Sequence, residues 1–177
     1  MTIFVREATV DDAVAIIQAH FSAVHKTVAK DYPQEILDEW SSDDFSQRVV
    51  KMKQIIENSP ENEVLVVAEF DGKVVGFGSI VPEKKELRAV YVSSDAGQKG
   101  VGKAILEKLE SKARELEVPE LNLDSSLTAE HFYAKHGYEV IQRAQHSLNS
   151  GRKWELKETF NLLEKRILHS VVSIMQA

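Results

Sequence analysis

The residues with the most chemical potential in this sequence lie between positions 86 and 138. A glycine-bearing run, Gly97-Gln98-Lys99-Gly100-Val101-Gly102-Lys103, follows a segment rich in β-formers, Glu86 to Val92. It leads into Ile105, Leu109, Ala113 and Leu116, apolar residues at helical spacing. A helix that starts near Gly100 turns N–H groups without intrahelical partners toward whatever precedes it, and its dipole favours negative charge there. Glycines let the backbone approach closely and take positive φ. The run therefore suits a phosphate or pyrophosphate, with Lys99 and Lys103 adding charge at the rim. A strand-to-helix connection that binds nothing is the plainer alternative.

Two phosphate-binding patterns compete for this run. Gly97-x-x-x-x-Gly102-Lys103 matches a nucleotide P-loop up to its last position, where Ala104 stands in place of the Ser or Thr that would hold magnesium. Leu121-Asn122-Leu123-Asp124 would then be the acidic strand that accompanies such a loop. The missing hydroxyl and the strand meander that precedes the loop argue against a kinase. The second pattern fits more residues. The run resembles motif A of the GCN5-related N-acetyltransferases (GNAT), Gln/Arg-x-x-Gly-x-Gly/Ala, with Gly100 and Gly102 at its glycines and Gly97 in place of the Gln or Arg. Ala129-Glu130-His131-Phe132-Tyr133-Ala134-Lys135-His136-Gly137-Tyr138 is similar to the family's Ala-x-x-Phe-Tyr-x-x-x-Gly-Phe signature. Ser126 falls where many members carry an Asn. The likeness runs from Ile3 to about Leu148, and Asp31 to Trp40 resembles a subgroup with a Tyr…Leu…Trp pattern.

This resemblance implies an α/β (α+β) fold of the GNAT acyl-CoA N-acyltransferase type, a mixed, mostly antiparallel central sheet flanked by helices. It implies acetyl-CoA as co-substrate, with its pyrophosphate on the backbone of Gln98, Lys99, Gly100, Val101, Gly102 and Lys103. The strand holding Val90, Tyr91 and Val92 would splay from its neighbour and offer backbone groups to the acetyl carbonyl and the pantetheine, which Ser126 would also touch. By the period of two, Glu86, Arg88, Val90 and Val92 share one face of that strand. Glu86 occupies the position of a general base in histone-modifying members; read as a residue, it is also an exposed charge in a polar run. Tyr133 occupies the position of the acid that protonates the departing thiolate, and a phenol of pKa about 10 suits that transfer. It also reads as a core tyrosine. The acceptor would be a small-molecule or peptide amine, and a non-catalytic acetyl-CoA binding or sensing domain is the other function these motifs allow.

The remaining candidates are weaker. None of the six histidines forms a metal-binding pattern; His20 and His25 are not at helical i, i+4 spacing, and no metal is expected. His25, Tyr32 and Trp40 can line an acceptor pocket or simply pack a helix on the sheet. There is no cysteine, which removes disulfides and a thioester-enzyme intermediate.

The elements that must position these residues can be read in order. Ile3 to Ala8 reads as a strand, and Thr9 to Asp12 as a capping box before a helix carrying Val14, Ile17, Phe21 and Val24. Helices Pro33 to Trp40 and from Asp44 onward follow. Val64 to Phe70, Asp71-Gly72 and Lys73 to Val81 form a hairpin. After the strand Glu86 to Val92 come the glycine run and its helix, a strand at Glu120 to Asp124, and a short helix Thr128 to His136 capped by Gly137. A strand at Tyr138 to Leu148, a turn at Asn149 to Gly151 and a last strand within Trp154 to Ile167 complete the order. One domain over 1–167 and a tail at 168–177 are expected. The 177-residue chain is 43% hydrophobic and carries a net charge of −6, which disfavours nucleic acid as a partner. No signal peptide or membrane-spanning run is read, so the expected location is cytoplasmic. A homodimer through the C-terminal strands is compatible with such a fold.

Overall fold

The computed structural model describes residues 2–58, 62–145 and 159–167. Alternating apolar residues on either side of Asp71-Gly72 build a hairpin of β2 (Val64–Phe70) and β3 (Lys73–Val81). Both turn residues have positive φ, 49° and 77°, the type I′ geometry that matches strand twist. β1 (Ile3–Glu7) adds to one side of this hairpin and β4 (Glu86–Val92) to the other. β5 (Glu120–Ser125) lies parallel to β4; β6 (Glu139–Gln145) and β7 (Thr159–Arg166) complete a seven-stranded sheet in the order β1-β2-β3-β4-β5-β7-β6. Every other neighbouring pair is antiparallel. The mixed, mostly antiparallel sheet flanked by helices is the expected fold.

Helices cover both faces. α4 (Val101–Glu115) buries Val101, Ile105, Leu106, Leu109 and Ala113 against Val66, Ile80 and Leu121 of the sheet. A side chain at Gly78 of β3 would stand 2.6 Å from Ile105 and 2.7 Å from the Ala89 carbonyl, so glycine there lets α4 sit close. On the opposite face α1 (Ala13–Ser22) and α3 (Phe45–Asn58) pack on Val67 and Phe77, with Ile16 and Ala19 buried. α2 (Gln34–Trp40) follows α1 after a stretch of π-helix, Ala23–Val28. The sequence places Val14 on the apolar face of α1, yet it is 47% exposed, while Ala13, Ile16 and Ile17 are buried.

The first corner is fixed by charge. Arg6 of β1 donates through both Nη atoms to Asp12, at 2.7 and 2.8 Å, and through Nε to Glu69 of β2 at 2.8 Å. The Thr9 backbone N–H also donates to Asp12 at 2.7 Å, as the capping pattern anticipates. These donors, the Arg6 guanidinium foremost, hold the Asp12 carboxyl down at about 2. α5 (Leu127–Lys135) ends at Gly137, whose φ of +84° is the expected left-handed cap. The expected turn at 149–151 and the tail at 168–177 lie outside the described residues.

Candidate acyl-transfer site

The site begins where the sheet comes apart. β4 and β5 pair only at Glu86 and Asn122, where the Asn122 N–H donates to the Lys85 carbonyl at 2.7 Å. Beyond that point the two strands have no ladder. On the other edge of β4, the Ser93 N–H donates to Val75 of β3 at 2.8 Å. Backbone groups alternate along a strand, so those of Val92 and Val90 turn toward the gap left by β5.

A β-bulge decides which side chains accompany them. The pairing of β3 with β4 runs from Ser79–Ala89 to Ile80–Leu87 and skips Arg88. Leu87 therefore joins Val90 and Val92 against α4, while Ala89 and Tyr91 face α1 and α3. The face shared by Glu86, Arg88, Val90 and Val92 in the sequence reading is thus broken: the bulge sends Glu86 to the side of Tyr91. Glu86 also sits at the closed end of the gap and accepts from Arg88 at 3.1 Å. The structure does not bring it to the cavity.

That cavity, of about 840 Å³, occupies the gap and runs to the start of α4. Val90, Tyr91, Val92, Gln98, Gly100, Val101, Gly102, Lys103 and Ser126 all line it. Lys99 does not: its Nζ donates to the Asp95 carbonyl at 2.8 Å and lies 5.0 Å over the Phe70 ring. The loop turns through two left-handed residues, Gln98 at φ 60° and Gly100 at φ 84°. The first helical bond of α4 runs from the Ala104 N–H to Gly100, so the N–H groups of Val101, Gly102 and Lys103 precede it. A side chain at Gly102 would stand 3.4 Å from the Phe132 ring, across the same wall. Gly97, the residue that departs from the motif, has an ordinary φ of −57°.

Tyr133 lies off the wall. It is buried in the core, with its ring 5.1 Å from Phe132 and 5.6 Å from Tyr138. Burial, with Tyr91 nearby, pushes its phenol well above the ordinary value, so it stays protonated.

Residues outside the glycine run and β4 line the cavity as well. Trp40 lines the cavity, and its indole N–H donates to the Tyr91 hydroxyl at 3.2 Å. His136 lines it too, with Nδ1–H donating to the Phe132 carbonyl at 2.8 Å. Of the three residues that the sequence offers for an acceptor pocket, Trp40 lines the cavity; for His136 the nearest signal is only a place inside the α5 signature. Tyr32 is not on the wall. Its hydroxyl accepts from the Leu127 N–H at 3.1 Å and so ties the segment before α2 to the start of α5. His25 donates from Nε2 to the Ser41 carbonyl at 2.7 Å and stacks on Phe21; it does not line the cavity. His20 accepts at Nδ1 from Arg48 at 2.8 Å. Burial first, then the nearby charges, depress it to about 4, so it is neutral at physiological pH. No cluster of three or more His, Asp or Glu able to hold a metal occurs among the described residues.

Residues 28–149 match the acetyltransferase (GNAT) domain model. The chain is 23% identical over 146 residues to a spermidine N(1)-acetyltransferase of Thermoplasma acidophilum, covering 79% of this chain and 90% of that protein. A GCN5-related N-acetyltransferase from Rhodopseudomonas palustris superposes with a TM-score of 0.78 at 25% identity, over 94% of this chain and 96% of the other. The PaiA N-acetyltransferase from Thermoplasma acidophilum, solved with coenzyme A, superposes with a TM-score of 0.75 at 21% identity, over 94% and 99%. With the family model spanning more than half of its length, the chain belongs to the GNAT acetyltransferase family.

Proposed function

We propose that the protein transfers the acetyl group of acetyl-CoA directly to a primary amine. The observation that carries this reading is the gap between β4 and β5, with the Val90 and Val92 backbone facing it and the start of α4 at its end. The residues present suit the co-substrate. Gly100 supplies the left-handed turn that aims the first N–H groups of α4 into the cavity, and Gly102 keeps the wall beside Phe132 clear. Gln98 and Gly100 to Lys103 would take the pyrophosphate through the backbone, with Lys103 at the rim, and Ser126 at the start of α5 would meet the pantetheine arm. Bound acetyl-CoA supplies an activated acyl group as a thioester.

The chain's own groups then have separate tasks. The backbone N–H groups at Val90 and Val92 hold the carbonyl oxygen and stabilise the negative charge that develops on it. The amine must first lose a proton, since a lysine-like amine of pKa about 10.4 is mostly charged at neutral pH. Tyr133, kept protonated by burial, is the phenol that the α5 signature offers as proton donor to the sulfur. The ammonium releases its first proton to solvent; after attack a second proton leaves the nitrogen and replaces the one the phenol gives to sulfur, so each cycle yields amide, thiol and one released proton with the phenol restored.

The test is thiol release from acetyl-CoA with a panel of primary amines. Spermidine belongs in that panel because a relative carries that activity in its name. Tight acetyl-CoA binding with no amine-dependent thiol release would instead favour a binding or sensing domain, the reading that the position of Tyr133 off the cavity wall supports.

A further inference from the structure

The two faces of β4 serve different partners. Val90 and Val92 face α4 and the phosphate-binding loop. The Tyr91 ring points to the other side, and there the cavity wall is made by Ala23, Thr27, Val28, Trp40 and Tyr91. The first three belong to the π-helical stretch after α1, where a wider turn replaces the ordinary helical one.

This wall is rigid and largely apolar. Phe77 stacks on Tyr91 at 5.4 Å, His20 meets the same ring edge-on at 4.5 Å, and Tyr32 braces Trp40 at 5.7 Å. The indole N–H of Trp40 occupies one acceptor site of the Tyr91 oxygen. A phenol has a further lone pair and its own proton to offer. No carboxylate stands on this wall among the described residues. Of the nearby acids, Asp31 stands behind the lining, where it accepts from the hydroxyl of the cavity-lining Thr128, and Asp38 accepts from the Gln34 amide at 2.7 Å on the outer surface.

We propose that this wall is the acceptor subsite and that it takes a primary amine carried on an apolar body, such as an arylalkyl amine. Tyr91 Oη accepts an N–H of the attacking amine, and Trp40 is its positioning residue. The proposal rests on the acetyl-transfer reading for its chemistry. An aromatic body buries its ring against Trp40 and Tyr91. The incoming ammonium is drawn to the same ring faces before it loses its proton. A polyamine would bring further charges against a lining that, among the described residues, carries no carboxylate, and burying them there costs more than the contacts return.

The test uses the full chain loaded with coenzyme A and titrated by calorimetry with 2-phenylethylamine and with spermidine, beside thiol release from acetyl-CoA with each. The expected result is binding of 2-phenylethylamine at least about tenfold tighter than spermidine, with the higher kcat/KM. Tyr91→Phe should raise the KM and Kd for 2-phenylethylamine about tenfold and leave coenzyme A affinity unchanged; Trp40→Phe should do so less strongly. Preference for spermidine in either readout overturns the proposal. So does failure of both amines to bind, or a Tyr91→Phe protein with unaltered amine affinity. If 2-phenylethylamine binds in this way but no amine releases thiol, the subsite stands and the acetyl-transfer reading falls.

Discussion

Tyr133 and Glu86 separate when their surroundings are compared. Both come from the same resemblance, yet Tyr133 is buried beside the cavity wall and Glu86 sits at the closed end of the strand gap with Arg88 on its carboxylate. Tyr133→Phe removes the proton donor without changing the ring, so kcat should fall about a hundredfold while acetyl-CoA affinity is kept. Glu86→Gln should change kcat by less than about threefold, because a half-buried charge paired with Arg88 and off the cavity lining has little hold on the reaction. Single-turnover thiol release with both variants checks the pair. A large loss in Glu86→Gln with Tyr133→Phe intact would reverse the roles.

At the scale of elements, the glycine run contains two kinds of glycine. Gly100 is left-handed, at φ 84°, and a side chain there strains the turn into α4 by about 1–2 kcal/mol. Gly100→Ala should therefore lower stability by that amount in urea unfolding and weaken coenzyme A binding as well. Gly97 has an ordinary φ, and an added Cβ would meet only the Ser94 carbonyl, at 3.3 Å. Gly97→Gln, which restores the motif's usual residue, should leave stability within about 0.5 kcal/mol and coenzyme A affinity no weaker. The same contrast explains what could be read in the chain. The hairpin around Asp71-Gly72, the run into α4 and the Gly137 cap are local, so turn residues and periodicity disclose them. The bulge at Arg88 is not local. In Leu87-Arg88-Ala89-Val90-Tyr91-Val92 the apolar residues are too continuous to mark where alternation skips, and only pairing with β3 decides it. Likewise the Trp40–Tyr91 bond joins residues distant in the chain, with no spacing rule to announce it.

For the whole molecule, acid should act in two stages, because two buried groups titrate in different windows. His20 of α1 is neutral in the fold, with its value lowered from 6.5 to about 4 by burial and then by Arg48 and His25. Unfolded chains take up that proton near 6.5 and the folded chain resists until about 4, so stability is complete above this range and falls as pH drops through it. The loss reaches about 3 kcal/mol at most. Asp12 follows. Its value is lowered from 3.8 to about 2, so the stability from its bonds to Arg6 and Thr9 is present above 3.8 and lost as pH falls toward 2. That stage is worth about 2 kcal/mol. Urea unfolding from pH 8 to pH 2 should therefore show His20→Asn, which keeps an acceptor for Arg48, flattening the slope only between about pH 6.5 and 4. Asp12→Asn should instead flatten it only below about pH 4. The slope is the readout, so a general loss of stability in either variant does not confuse the result. A wild-type curve with no slope between pH 6.5 and 4 would mean that His20 takes its proton without unfolding, and that the α1–α3 contact is open enough to hydrate it.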